Sequence, residues 1–103
     1  MFGAENKKRI ALFIATFSLC ATARATVDLG IDVLEHNDYA LLAGKRVGLI
    51  TNQTGVDSDG TSTRVLLHKH CNLVALYTPE HGLDGTEKAG RYVKSRRDRM
   101  TGL

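Results

Sequence analysis

The chain has 103 residues, 43% hydrophobic and 24% charged, the proportions of one small globular domain. Its formal charge of +3 arises entirely in residues 1–25, where Lys7, Lys8, Arg9 and Arg24 stand against Glu5 alone; residues 26–103 hold ten basic and ten acidic side chains. That balance argues against a nucleic-acid partner.

Residues 1–25 have an organisation of their own. Lys7-Lys8-Arg9 precedes the apolar run I-A-L-F-I-A-T-F-S-L, and small residues follow, with Ala21-Thr22-Ala23 or Ala23-Arg24-Ala25 as a cleavage site. This order of positive, apolar and small residues is that of a secretory signal peptide. The apolar core is about half the ~20 residues that a spanning helix needs. The expectation is therefore export to the periplasm or the exterior, with no stable membrane anchor after cleavage near Ala25. An uncleaved anchor and an internal amphipathic helix are the weaker readings, and Leu19 before Cys20 disfavours a lipoprotein. Cleavage would leave Cys71 as a single thiol, with no internal disulfide available and a buried structural role expected.

In residues 26–103, Leu29, Ile31, Val33, Leu34, Tyr39, Leu41 and Leu42 predict a short helical or irregular lead-in ended by Gly44. The run V-G-L-I at 47–50 predicts a buried strand. T-N-Q-T-G-V-D-S-D-G is a loop by its Asn, Asp and Gly content. Thr61 or Ser62 is placed to cap a helix reaching about residue 71, with Val65, Leu66 and Leu67 inward. L-V-A-L-Y at 73–77 predicts a second strand, ended by Pro79 because proline cannot donate to a sheet ladder. Strand, helix and strand over about 30 residues form a βαβ unit with parallel strands and a right-handed crossover. Two parallel strands and one helix cannot cover both faces of a sheet, so the chain is expected to be the front of a larger, truncated fold.

Parallel strands send the loops at their carboxyl ends to one sheet edge, where open α/β sheets bind ligands. Those loops are T-N-Q-T-G and T-P-E-H-G. Glu80 and His81 are titratable groups held between Pro79 and Gly82, and a carboxylate so placed serves as a general acid or base when its proton affinity is tuned. The bland alternative is that Glu80 caps the next segment and His81 is merely solvated. Asn52, Thr54 and Gly55 are candidates for orienting a polar ligand, against the alternative of a plain strand-to-helix turn. The loop lacks the pattern of a P-loop, so no nucleotide cofactor is implied. Asn52-Gln53-Thr54 also fits a glycosylation sequon. His68, His70 and Cys71 fall short of a metal site, because i and i+2 point to opposite sides of a helix and two ligands are too few. Arg91, Lys94, Arg96, Arg97 and Arg99 are expected to form an exposed basic face.

Taken together, L-G-I-D-V-L-E, L-L-A-G-K-R-V-G-L-I-T-N-Q-T-G-V-D, L-V-A-L-Y-T-P-E-H-G-L-D-G-T, A-G-R-Y-V and D-R-M-T-G-L resemble the start of the exo-β-N-acetylmuramidase (NamZ-type) family of bacterial glycosidases. The resemblance runs from about Val27 to Leu103. It implies that residues 26–103 are the N-terminal part of a Rossmann-like α/β domain, with a second domain absent and the active site in the cleft between the two. It also implies release of terminal N-acetylmuramic acid from the non-reducing end of peptidoglycan fragments, without a cofactor or metal. Glu80 matches the glutamate expected to be catalytic, and His81 and Asn52 match positions expected to line the site; Thr54, Gly55 and Gly82 on the same two loops complete the candidate substrate contacts. Members often carry arginine where Asp84 stands, and they continue past T-G-L with a P-V-Y-S-L-Y-G-like stretch. Three readings stay open: an enzyme fragment inactive alone, a small exported sugar-binding module without turnover, and the product of a disrupted reading frame.

Overall fold

The computed structural model describes residues 26–103, and the expected signal peptide at 1–25 lies outside the described residues. Helix α1 spans Gly30–His36. Asp32 fixes its first turn by accepting the Leu29 N–H at 3.1 Å, the position where a carboxylate also suits the helix dipole. After α1, Asp38 and Tyr39 take left-handed backbone angles, φ 50° and 54°. They turn the chain into a short 3-10 segment, Ala40–Leu42. Left-handed geometry is unfavourable for residues with a Cβ, and what holds Tyr39 there is burial: its ring is in the core and stacks on His70 at 4.9 Å and 8°. Burial also pushes the Tyr39 phenol up to about 12.

Strand β1 spans Arg46–Ile50, helix α2 Thr63–His70 and strand β2 Asn72–Tyr77. β1 and β2 form a two-stranded parallel sheet, and α2 is the crossover packed on β2. The expected α/β strand–helix–strand unit is the observed one. The register slips between Val47 and Gly48, leaving Val74 as the extra residue of a bulge. The slip is what lets Leu73 pair with Val47 and Leu76 with Leu49. These four side chains lie buried or half-buried on the covered face.

Tyr39, Leu67 and Leu73 make the buried core, with Ile31, Leu34, Leu42, Val47, Leu49, Cys71, Leu76 and Leu103 packed around it. Each fully buried leucine contributes about 1.5–3 kcal/mol, so this is a small core. The other face of the sheet is open: Ile50 is 77% and Tyr77 59% exposed. The Tyr77 ring lies across Gly48, where a Cβ would sit 3.2 Å from it. Among the described residues no helix is long and apolar enough to cross a membrane.

Several local expectations change. α2 runs from Thr63 to His70, so Cys71 falls just after it, half-buried rather than buried, with burial raising its thiol pKa. Of the three apolar positions expected inward only Leu67 is buried; its partner on the inner stripe, one turn back, is Arg64. Ser62 is the N-cap residue but its side chain makes no capping bond. His70, set aside as a metal ligand, stacks on Tyr39 instead.

Candidate active site

The loop after β1 is built around its own side chains. Thr51 continues the sheet by donating its N–H to the Tyr77 carbonyl at 2.9 Å, which starts both carboxyl-edge loops from one point. The Asn52 side-chain oxygen accepts the Thr54 N–H (3.0 Å) and the Thr54 hydroxyl (2.7 Å), a closed Asx turn. Gly55 gives its carbonyl to both the N–H (2.9 Å) and the hydroxyl (2.5 Å) of Thr63 at the start of α2. A Cβ at Gly55 would collide with the Thr51 hydroxyl and come within 2.8 Å of that of Thr63, so the position is closed to larger residues. Further on, the Asp57 carboxylate accepts the N–H groups of Asp59 (3.0 Å) and Thr61 (2.6 Å). Asp32 reaches over from α1 to take the N–H and hydroxyl of Ser58, both at 3.0 Å. The backbone N–H of Ser58 is the main reason the Asp32 carboxyl is held below its usual range.

The loop after β2 turns at Pro79, whose carbonyl accepts the Gly82 N–H at 3.0 Å, with Gly82 buried at φ 80°. Only glycine takes that angle without strain. His81 is oriented at both ends. Its Nδ1 lies 2.7 Å from the Glu87 carbonyl; a carbonyl can only accept, so Nδ1 carries the proton. In the neutral ring that leaves Nε2 as an acceptor, 4.0 Å from the Glu80 carboxylate. The His81 backbone carbonyl accepts the Glu87 N–H at 3.1 Å. Glu80 takes the Gly90 N–H on Oε1 at 2.7 Å, which leaves Oε2 as the oxygen nearest His81. Both side chains are about half exposed, 56% for Glu80 and 53% for His81.

The two loops touch directly. The Gln53 side chain occupies the space that a Cβ would need at Gly85. Asn52, Thr54 and Gly55 therefore sit on a loop locked against the one that carries Glu80, His81 and Gly82. A cavity of about 230 Å³ opens beside this edge, lined in part by Thr78, Gly82, Lys94 and Arg96. Gly82 borders it, whereas Glu80, His81, Asn52, Thr54 and Gly55 do not. Among the described residues no group of three or more His, Cys, Asp or Glu side chains is placed to hold a metal ion.

Sequence reasoning missed a buried ionic cluster under the second loop. Arg64 donates to Asp84 at 2.9 Å, lies 3.5 Å from Asp98 and points two nitrogens at the Met100 sulfur, 2.9 and 3.2 Å away. Arg96 holds the other Asp84 oxygen at 3.0 Å, so this arginine is engaged rather than free on a basic face. Arg97 likewise donates to the Gly102 carbonyl at 2.9 Å. Asp84 is thus a half-exposed partner of two arginines, one of them buried. The available signal was the three-residue spacing of Arg64 and Leu67, which puts both on one helix stripe.

A parallel strand–helix–strand unit with interlocked polar loops at its carboxyl edge is the ligand-binding arrangement of open α/β proteins. The profile of the family described as "Exo-beta-N-acetylmuramidase NamZ, N-terminal" matches residues 47–103, and the chain belongs to that family. It is 42% identical over 79 residues to the peptidoglycan beta-N-acetylmuramidase NamZ of Bacillus subtilis strain 168, a match that covers 75% of this chain and 19% of that protein. A crystal structure of a DUF1343 family protein from Bacteroides fragilis superposes with a TM-score of 0.65 at 48% identity, covering 78% of this chain and 20% of the other. The chain thus spans about a fifth of the length of each relative.

Proposed function

We propose that the chain is the N-terminal, site-bearing part of an exported peptidoglycan glycosidase that releases terminal N-acetylmuramic acid from the non-reducing end of cell-wall fragments during their recycling. Glu80 is the carboxylate that transfers the proton, as general acid or base, and His81 beside it tunes or positions it. Asn52 and Thr54 offer polar groups to the sugar, while Gly55 and Gly82, having no side chain, let the backbone approach it closely. The observation that carries this reading is the Glu80–His81 pair, pinned by Gly90 and Glu87 on the carboxyl-edge loop of a chain in this family. The order of charged, apolar and small residues at 1–25 supports export.

The geometry suits proton transfer. Oε1 is held by a backbone N–H and Oε2 is left for a proton and a sugar oxygen, with the imidazole alongside. The His81 Nδ1–H, fixed to the Glu87 carbonyl, sets the ring plane and tautomer in the way such partners do elsewhere. A pair this exposed works best on a glycosidic bond when bulk water is excluded and only the water that hydrolysis consumes is admitted. A second domain closing over the edge supplies that cover, so the chain by itself is expected to be inactive.

The test joins the whole chain, after Leu103, to the matching remainder of the Bacillus subtilis relative. Hydrolysis of a chromogenic N-acetylmuramic acid glycoside by this joined protein is the expected result. Sugar binding without turnover would replace the glycosidase by a binding module, and neither binding nor turnover would remove both.

A further inference from the structure

We infer that Arg64 is a positioning residue for the Glu80–His81 turn, which it holds through Asp84; this rests on the role given to Glu80 above. Arg64 occupies the inner stripe of α2 beside Leu67 and is only 8% exposed, a place where an apolar residue is the usual occupant. A buried guanidinium is costly unless its donors are met. Here Nε and Nη2 are met by groups from two separate segments, while Nη1 has no hydrogen bond and only the charge of Asp98 beside it. Asp84, four residues after Glu80, takes Nη2 at 2.9 Å. Asp98, buried at the head of the D-R-M-T-G-L turn, lies 3.5 Å from Nη1, and Met100 of the same turn faces Nε and Nη2.

The Asp98 end is rigid in its own right. Its carboxylate accepts the N–H (3.1 Å) and hydroxyl (2.9 Å) of Thr101, and its backbone pairs with Leu103 and Gly102 at 2.7 and 2.8 Å. Arg64 therefore braces the loop of Glu80 against both α2 and a preformed turn. Arginine suits the task because its planar fork donates in several directions at once, which a lysine cannot do.

The loop of residues 79–90 needs such a brace. It has no strand partner, and its backbone bonds, Gly82 to Pro79, Gly85 to Gly82 and Glu87 to His81, are all internal. They set its shape without setting its position on the sheet. Position comes from Gln53 packing at Gly85 and from Asp84, which is held by the buried Arg64 on α2 and, on its other oxygen, by the exposed Arg96. Thr63, next to Arg64, holds Gly55 of the first loop. One turn of α2 thereby fixes both loops of the edge. The same hydrogen bond from Arg64 holds the Asp84 carboxyl below its usual range.

The experiment compares Asp84→Asn, Arg64→Met and Arg64→Lys with the parent in the joined protein. Amide exchange is read over residues 72–77 and 79–90, and kcat and KM are measured on the chromogenic glycoside. Asp84→Asn, which leaves Arg64 beside Asp98, is expected to speed exchange at Gly82, Glu87 and Gly90 by about tenfold or more with β2 unchanged. It should lower kcat by roughly 10–100-fold and alter KM by no more than about twofold. Arg64→Lys should fall between parent and Arg64→Met. Unchanged exchange at 79–90 in Asp84→Asn overturns the inference, as does an equal rise across 72–77, which would make the pair a general stabiliser. If the parent hydrolyses nothing but the local loosening is seen, the brace stands and the reading of Glu80 falls.

Discussion

The side chain of Gln53 fills the space beside Gly85 where a Cβ would otherwise project. This contact, between the loop after β1 and the loop after β2, joins the two halves of the candidate site. Gly85 also sits at φ 70°. Gly85→Ala therefore meets two obstacles: overlap with the Gln53 amide and about 1–2 kcal/mol of left-handed strain. The variant of the joined protein should show a lower thermal midpoint. Adding Gln53→Ala should recover only the part due to overlap, and full recovery in the double variant would show the backbone angle to be unimportant.

The Asp84 ion pairs give the loop a pH dependence whose direction is fixed. Hydrogen bonding from Arg64 lowers the folded-state value below the ordinary 3.8. A carboxylate with a depressed folded value contributes stability that is present above its unfolded value and lost as the pH falls through the folded one. The thermal midpoint of the parent should exceed that of Asp84→Asn at about pH 6, and the difference should shrink toward about pH 2. A difference that stays constant over that range would remove the charge from the explanation. Because Asp84 is half exposed, the effect should also weaken in high salt.

Residues 26–103 alone should unfold broadly rather than in one sharp step. The buried core is three side chains, one sheet face is open with Ile50 and Tyr77 exposed, and a chain of this size buries only about 60% of its unfolded surface. Open strand edges further favour association. A sharp, cooperative thermal transition of the isolated monomeric segment would contradict this.

Export predicts a mature N-terminus close to Thr26. N-terminal sequencing of material released by a producing cell checks it, and a secreted form that still begins at Met1 would contradict the signal-peptide reading.

The sheet and its edge were legible because their signals are local. V-G-L-I and L-V-A-L-Y are short apolar runs bounded by polar residues and Pro79, and both became strands within a residue of the expected limits. The placing of the two loops on one edge follows from parallel pairing alone. The bulge at Val74 was not legible, since a register slip depends on what each strand meets across the ladder. Nor was the Arg64 cluster. Its partners are 20 and 34 residues away, in segments whose lack of periodicity hid any fold, and a charged residue between Thr63 and Val65 reads as solvent-facing until the helix is set on the sheet. The Thr63 bond to Gly55 was obscured in the same way. Thr61 and Ser62 looked like caps, while the hydroxyl that matters reaches back to the loop before the helix.

The most direct test of the site is Glu80→Gln in the joined protein, assayed on the chromogenic N-acetylmuramic acid glycoside. Glutamine keeps the shape and the Gly90 contact to the side-chain oxygen but removes the titrating proton. Turnover should fall by ~100-fold or more, in line with acid–base contributions generally, with a much smaller change in KM. A variant that kept more than about a third of parental turnover, well above any acid–base loss, would make Glu80 a structural residue of its turn and contradict the account.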